Sequence, residues 1–166
     1  MADSFVQGSL TTMNTGTSQW IKDVEVVGEG IGLDFSDDAH AYSSRMIGSK
    51  GEDIAALFME RMGIEILERN WRCSLGEVDI IAREGETILL VEVKTRSLHA
   101  LRIDDEPIPE LAVGSRKRGK YEKLALIYLS KKPQYDSVRF DVVAVKLIDS
   151  NTARVRYMAG AYEWDW

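Results

Sequence analysis

Apolar residues recur along this chain with two different periods. In residues 51–62, Ile54, Leu57, Phe58 and Met62 fall near one helical face, and Gly63 stands where a helix would stop. Alternating and continuous apolar runs then predict strands over 64–70, over 77–83 and from Thr87 or Ile88 to Lys94, with a turn around Glu84-Gly85-Glu86. A second helix is expected over 115–130, where Tyr121, Leu124, Ala125, Tyr128 and Leu129 form a buried stripe. Pro133 and Asp136 punctuate the loop that follows, and 138–145 and 153–158 are expected to be strands. The order α-β-β-β-α-β-β predicts an α/β domain in which an antiparallel meander is followed by a helical crossover.

The most apolar part of that pattern contains charge. Gly76-Glu77-Val78-Asp79-Ile80-Ile81-Ala82 and Val91-Glu92-Val93-Lys94 set two acids and a lysine among Val, Ile and Leu. An ionised acid in such surroundings costs several kcal/mol unless it is paired, hydrogen-bonded or bound to a cation. Residues two apart on a strand share a face, so Glu92 and Lys94 point the same way, with Cα atoms about 7 Å apart. Asp79 must join them across the hairpin. A two-residue loop at Glu84-Gly85 would set it opposite Leu90 and diagonal to Glu92, and a four-residue loop over 84–87 would set it directly opposite Glu92. A three-residue loop without a bulge would send it to the other face. The site therefore requires an even-length turn.

Two carboxylates about 6 Å apart repel by about 3 kcal/mol at an effective dielectric near 20. One lysine offsets part of this, and a divalent cation offsets more. Mg²⁺ takes one or two carboxylates and keeps water and phosphate oxygens as its other ligands. Two acids and an ammonium are thus the equipment for metal-assisted phosphodiester hydrolysis. The bland alternative is a buried salt bridge between Lys94 and one acid, which suffices for an isolated Glu-x-Lys.

The 166 residues, 45% of them apolar, are enough for one compact domain with a real core. No apolar run is long enough for a transmembrane helix, and the first residues lack the basic and apolar regions of a secretory signal. The single cysteine, Cys73, excludes an intrachain disulfide and a cysteine-rich zinc site and fits a cytoplasmic protein. It is read as a small structural hydrophobe.

The net charge of −6 argues against a nucleic-acid partner only until it is divided along the chain. Residues 1–43 hold seven acids and one base, whereas the remainder holds 20 of each and is formally neutral. Acidity belongs to an N-terminal extension, residues 1–45, whose Thr, Ser, Gly and Asn content reads as largely flexible. Within it, residues 20–27 alternate enough for a short strand or docking element. Met46 is an alternative start. The domain proper is expected over 46–166.

Together, Gly51-Glu52 opening a helix, Arg69-Asn70-Trp71-Arg72, Gly76 to Ala82, Val91-Glu92-Val93-Lys94-Thr95-Arg96, Ala112-Val113 with Lys117, and Arg139-Phe140-Asp141-Val142-Val143 resemble the YraN family of bacterial candidate endonucleases. That family is similar to archaeal Holliday-junction resolvases, within the restriction-endonuclease-like nucleases. The resemblance covers about residues 46 to 162 in the same order, and the acidic extension departs from it. It implies a restriction-endonuclease-like fold, a central mixed sheet flanked by helices, with Asp79 and Glu92 as metal-binding acids and Lys94 as catalytic lysine. By the same resemblance Glu52 completes the metal shell directly or through water, and the Val93 carbonyl is a further ligand.

Other residues have competing readings. Glu52 can simply favour a helix N-terminus. Asp141 can be an internal hydrogen-bond or arginine partner as readily as a metal ligand. Arg96 can contact phosphate or end a strand in solvent. The basic run Arg116, Lys117, Arg118 and Lys120, with Lys123 one turn on, lies where a helix start disfavours cations and can grip phosphates without reading sequence. The connection over 95–114 is long enough to handle substrate, and its His99 is weak evidence for a general base. Tyr162, Trp164 and Trp166 are expected to pack on their own sheet.

The expected function is Mg²⁺- or Mn²⁺-dependent hydrolysis of DNA phosphodiesters, with branched DNA as a substrate class. A symmetric junction would require two active sites and so a homodimer. The alternatives are a non-catalytic nucleic-acid-binding or partner-recruiting module and an RNA-directed nuclease. No base-reading motif is visible.

Overall fold

A computed structural model of the chain describes residues 11–14, 20–27, 43–97, 115–148 and 152–161. The extension contributes β1 (Thr11–Asn14) and β2 (Trp20–Val27). They are followed by α1 (Ser44–Arg61), β3 (Glu65–Cys73), β4 (Gly76–Glu84), β5 (Thr87–Ser97), α2 (Ser115–Ser130), β6 (Ser137–Leu147) and β7 (Thr152–Ala159). The strands form one sheet in the order β1-β2-β7-β6-β5-β4-β3. β3, β4 and β5 form the expected antiparallel meander. α2 then carries the chain to β6, which lies parallel to β5, and β7 returns antiparallel. This is a mixed sheet between helices, compatible with a restriction-endonuclease-like fold. No described helix is long and apolar enough to cross a membrane.

The strand anticipated at residues 20–27 is present and pairs along β7, so part of the extension completes the sheet. β1 was not anticipated. It is four residues long, too short for an alternating pattern to stand out in a Thr-, Ser- and Gly-rich segment.

α1 begins well before the expected position. Ser43 caps it, its hydroxyl accepting from the Met46 N–H at 3.3 Å, so Gly51-Glu52 lies inside the helix instead of opening it. Its far end is the expected one. Gly63 adopts φ 82°, with Gly63 N–H donating to the Glu60 carbonyl and Ile64 N–H to that of Met59, the paired closure that left-handed glycine allows.

Each face of the sheet has its own core. On one side Ile54, Ala55, Phe58 and Met59 of α1 pack on Ile80, Ala82, Leu89, Val91 and Val143. On the other, Tyr121, Leu124, Ala125 and Tyr128 of α2 pack on Ile81, Ile88, Leu90, Phe140 and Val142. α1 approaches β5 at closest range through Gly51. A Cβ there would fall 1.7 Å from Thr95 Oγ1 and 2.6 Å from Thr95 Cβ. Only glycine permits that contact, and it fixes the next residue, Glu52, beside the strand that carries Glu92 and Lys94.

Candidate active site

The β4–β5 turn is even-length. Glu84 pairs with Thr87 across Gly85-Glu86, and Gly85 takes φ 58°, the left-handed value that tight hairpin turns demand. The register is that of the four-residue-loop alternative, drawn tighter by one further pair. Extended toward the site, it sets Asp79 across from Glu92. The regular ladder stops just short, at Ile80 with Val91. Beyond it the Val93 N–H donates to Asp79 Oδ2 at 2.8 Å, a side chain taking the place of a main-chain carbonyl. The pleat also slips there. Val78 packs in the α2-side core together with Ile81, while Ile80 and Ala82 face α1. Strict alternation would put Val78 with Ile80, and the break falls on Asp79.

Glu92 is 6% exposed. Lys94 forms a short ion pair with its Oε1, and the Tyr121 hydroxyl donates to its Oε2 at 2.8 Å. Tyr121 in turn stands edge-on to Phe140, with ring centroids 5.2 Å apart. Burial raises the Asp79 carboxyl above its ordinary pKa, the Val93 N–H opposes this, the charges of Glu52 and Glu92 raise it further and Lys94 pulls it back. Glu52, Glu92 and Lys94 thus all act on Asp79. The first turn of α1 contains no acid, which removes the helix-start reading of Glu52. Its Oε2 instead accepts from Asn70 Nδ2 at 3.0 Å and lies 3.9 Å from Arg69, whose guanidinium also meets Asp53 at 2.7 Å.

The donor set suits a hard divalent cation. Asp79 and Glu92 offer carboxylate oxygens, and among the described residues Asp79 Oδ1 receives no hydrogen bond. No three His, Cys, Asp or Glu side chains among the described residues converge closely enough to hold an ion unaided. A cation held here by Asp79 and Glu92 would need main-chain, water or phosphate oxygens to complete its shell, with Glu52 one layer out.

Asp141 belongs to a different structure. It is 1% exposed and accepts from Arg139 Nε at 2.8 Å, Arg139 Nη2 at 2.9 Å, the Tyr157 hydroxyl and the Gly160 N–H at 2.9 Å. Arg139 also reaches Glu84 at 2.8 Å. Of the two readings of Asp141, the arginine partner is the one observed. Burial and the adjacent Asp141 charge hold the Tyr157 hydroxyl far above its usual range.

Arg96 is exposed near the end of β5, past Lys94. Arg116, Lys117 and Arg118 fall in the first turn of α2 and Lys120 in the second; Arg118 and Lys120 are exposed, and the side chains of Arg116 and Lys117 lie outside the described residues. Gly76 has φ 148°, and a Cβ there would come 2.8 Å from Lys120 Nζ, so this cation stands over the start of β4, three residues from Asp79. His99, the rest of the 98–114 connection, Tyr162, Trp164 and Trp166 also lie outside the described residues. Cys73 is a half-buried free thiol whose sulfur accepts from Leu75 N–H at 3.4 Å.

Two residues at the site escaped the sequence reading. Tyr121 was expected in the helix stripe but not as a partner of Glu92; a tyrosine on an aliphatic stripe signals a need for a buried acceptor without naming it. Asn70 has φ 52°, the one left-handed non-glycine among the described residues. Asparagine tolerates that conformation better than most residues, a weak signal inside an apparent strand.

The model of the uncharacterised protein family UPF0102 matches residues 51–145. A UPF0102 protein of Geobacter sulfurreducens is 39% identical over 124 residues, covering 74% of this chain and 93% of its own length. One from Syntrophus aciditrophicus is 46% identical over 118 residues, covering 70% and 87%. A third, from Dictyoglomus thermophilum, is 41% identical over 109 residues, covering 65% and 88%. The matched stretch of the family model contains Glu52, Asp79, Glu92, Lys94 and the basic start of α2.

Proposed function

We propose that this chain, which belongs to the UPF0102 (YraN) family, is a metal-dependent endonuclease that hydrolyses DNA phosphodiesters, branched DNA being its substrate class. The observation carrying this reading is the gathering of Asp79, Glu92 and Lys94 where β4 and β5 part, with Glu52 alongside. A salt bridge serving only stability would need Lys94 and one acid. Here a second acid is half-buried nearby at an energetic cost, and a third stands close enough to raise that cost.

In this mechanism Asp79 and Glu92 would hold Mg²⁺ or Mn²⁺, and the Val93 carbonyl would be an additional ligand. The bound ion would supply Lewis-acid polarisation of the phosphate and lower the pKa of an attacking water. Tyr121 fixes one oxygen of Glu92 by donating to it, leaving the orientation of that carboxylate determined before substrate arrives. Lys94, half-exposed, presents its ammonium to the scissile phosphate and to the attacking water, where it offsets developing negative charge. Glu52 orients water at the rim. Lys120 over Gly76, with Arg96, Arg116, Lys117 and Arg118, grips flanking phosphates by charge alone. A junction substrate would be cut by a homodimer, one site for each strand.

The test is incubation with labelled four-way junction, flap, duplex and single-stranded DNA and matching RNA, with Mg²⁺, Mn²⁺ or EDTA, beside Glu92→Ala. The expected result is metal-dependent DNA cleavage lost in the variant. Binding without cleavage under every metal condition would favour a recruiting module, and preferential cleavage of RNA would reassign the substrate.

A further inference from the structure

The pairing of β3 with β4 is irregular at two places, a register shift between Ile66 and Glu68 and, nearer the site, Asn70. Arg69 pairs with Ile80 and Trp71 with Val78, so Asn70 occupies the position across from Asp79, yet it makes no regular pair there. Its φ of 52° is left-handed. Such backbone costs most non-glycine residues about 1 kcal/mol or more, asparagine less than most, and inside a strand it needs support from its surroundings. The kink is not at a turn, because β3 continues to Cys73. What it accomplishes is visible in the side chain, which reaches α1 and donates from Nδ2 to Glu52 Oε2 at 3.0 Å.

Three features therefore converge. The strained residue faces Asp79 in the register, its amide holds Glu52, and Glu52 acts electrostatically on Asp79. We infer that Asn70 is a positioning residue of the candidate nuclease site, setting the Glu52 carboxylate at a fixed distance outside the Asp79–Glu92 pair. This rests on the metal-dependent reading above and adds to it a residue that reaches the cation only through Glu52. The amide suits the task chemically. It stabilises the ionised carboxylate by a hydrogen bond without adding charge, and Arg69, 3.9 Å from the same Glu52 oxygen, makes its closer pair with Asp53 at 2.7 Å.

The test is a double-mutant cycle of Asn70→Gly and Glu52→Gln, read first as Mn²⁺ affinity by calorimetry without nucleic acid and then as DNA cleavage. Glycine keeps the left-handed backbone and removes only the amide, and Asn70→Asp supplies a second variant that keeps the size but sets a carboxylate against Glu52. Asn70→Gly should weaken Mn²⁺ binding by about 10-fold, the typical effect of losing an outer partner of a metal site, and Asn70→Asp by at least as much. In the Glu52→Gln background the glycine change should cost almost nothing further. An equal loss in both backgrounds would mean that Asn70 acts independently of Glu52 and would overturn the inference, as would unchanged Mn²⁺ affinity. A wild-type chain that binds Mn²⁺ but cleaves nothing would defeat the nuclease reading alone, and the Mn²⁺ cycle would still decide Asn70. A chain that takes up no Mn²⁺ would overturn both.

Discussion

Asp79 and Asp141 each sit between large apolar neighbours on a central strand, in the contexts Val78-Asp79-Ile80 and Phe140-Asp141-Val142, and their surroundings are opposite. Asp141 is buried among donors, with two guanidinium nitrogens, a phenol and a main-chain N–H turned toward it. Asp79 has one N–H, and its carboxylate neighbours Glu52 and Glu92 push its pKa up while Lys94 opposes them. The first is a closed network whose charge is answered within the protein, whereas the second has, among the described residues, one hydrogen-bonded oxygen and two further acids beside it. Both acids are withdrawn from solvent, Asp141 almost completely and Asp79 in part, so burial by itself does not assign a function. What separates them is whether the remaining lone pairs are already used.

The largest effect is expected for Asp79→Asn. Cleavage should fall by at least about 100-fold, while the metal-free fold should be as stable as before or more so. The sign follows from the raised carboxyl. Above that raised value the folded chain holds a charge that the unfolded chain carries more comfortably, which is a penalty. As pH falls through the raised value the penalty is relieved, and it is gone below the ordinary 3.8. Thermal unfolding in EDTA should therefore place Asp79→Asn level with or above wild type at pH 7, with the gap closing toward pH 4. A large loss of stability instead would make Asp79 a structural residue like Asp141.

The converse substitution, Asp141→Ala, should cost about 3–5 kcal/mol of stability in denaturant titration, because it leaves the half-buried Arg139 without its main counter-charge and the buried Tyr157 hydroxyl and Gly160 N–H without their acceptor. Cleavage per folded molecule should change little. Loss of metal binding in a folded Asp141→Ala chain would undo the distinction from the other side. The smallest of the three effects is expected for Tyr121→Phe, which removes one hydrogen bond to Glu92 and keeps the ring on Phe140. About a 10-fold decrease in cleavage, with an unfolding midpoint close to wild type, would show that Glu92 needs orienting as well as burial.

The sequence carried the local half of this picture. Hydrophobic period located α2 and the strands of the meander, Gly63 marked the end of α1, and the parity of the Glu84–Thr87 turn followed from requiring Asp79 and Glu92 to meet. The start of α1 was missed because Ser43 acts through a hydroxyl-to-backbone contact, while the stretch that follows it, Arg45 to Lys50, has few apolar residues to announce a buried face. The donors around Asp141 come from β6, β7 and the turn beyond, and Tyr121 reaches Glu92 from a different element. No periodicity within one segment encodes such pairings. Asn70 is harder still, since its strand reads as continuous and its role depends on a single backbone angle.

The contact between Gly51 and Thr95 bears on how sequences of this kind can diverge. With Thr95 in place, a methyl group at position 51 would overlap its side chain, and shortening Thr95 to alanine would still leave a Cβ only 2.6 Å away. Any residue other than glycine at 51 therefore demands glycine at 95 or a helix shifted off the sheet. The two positions are one steric unit divided between distant parts of the chain, and it binds them unequally: Gly51 can be replaced only if position 95 gives way, whereas Thr95 can shrink while Gly51 stands.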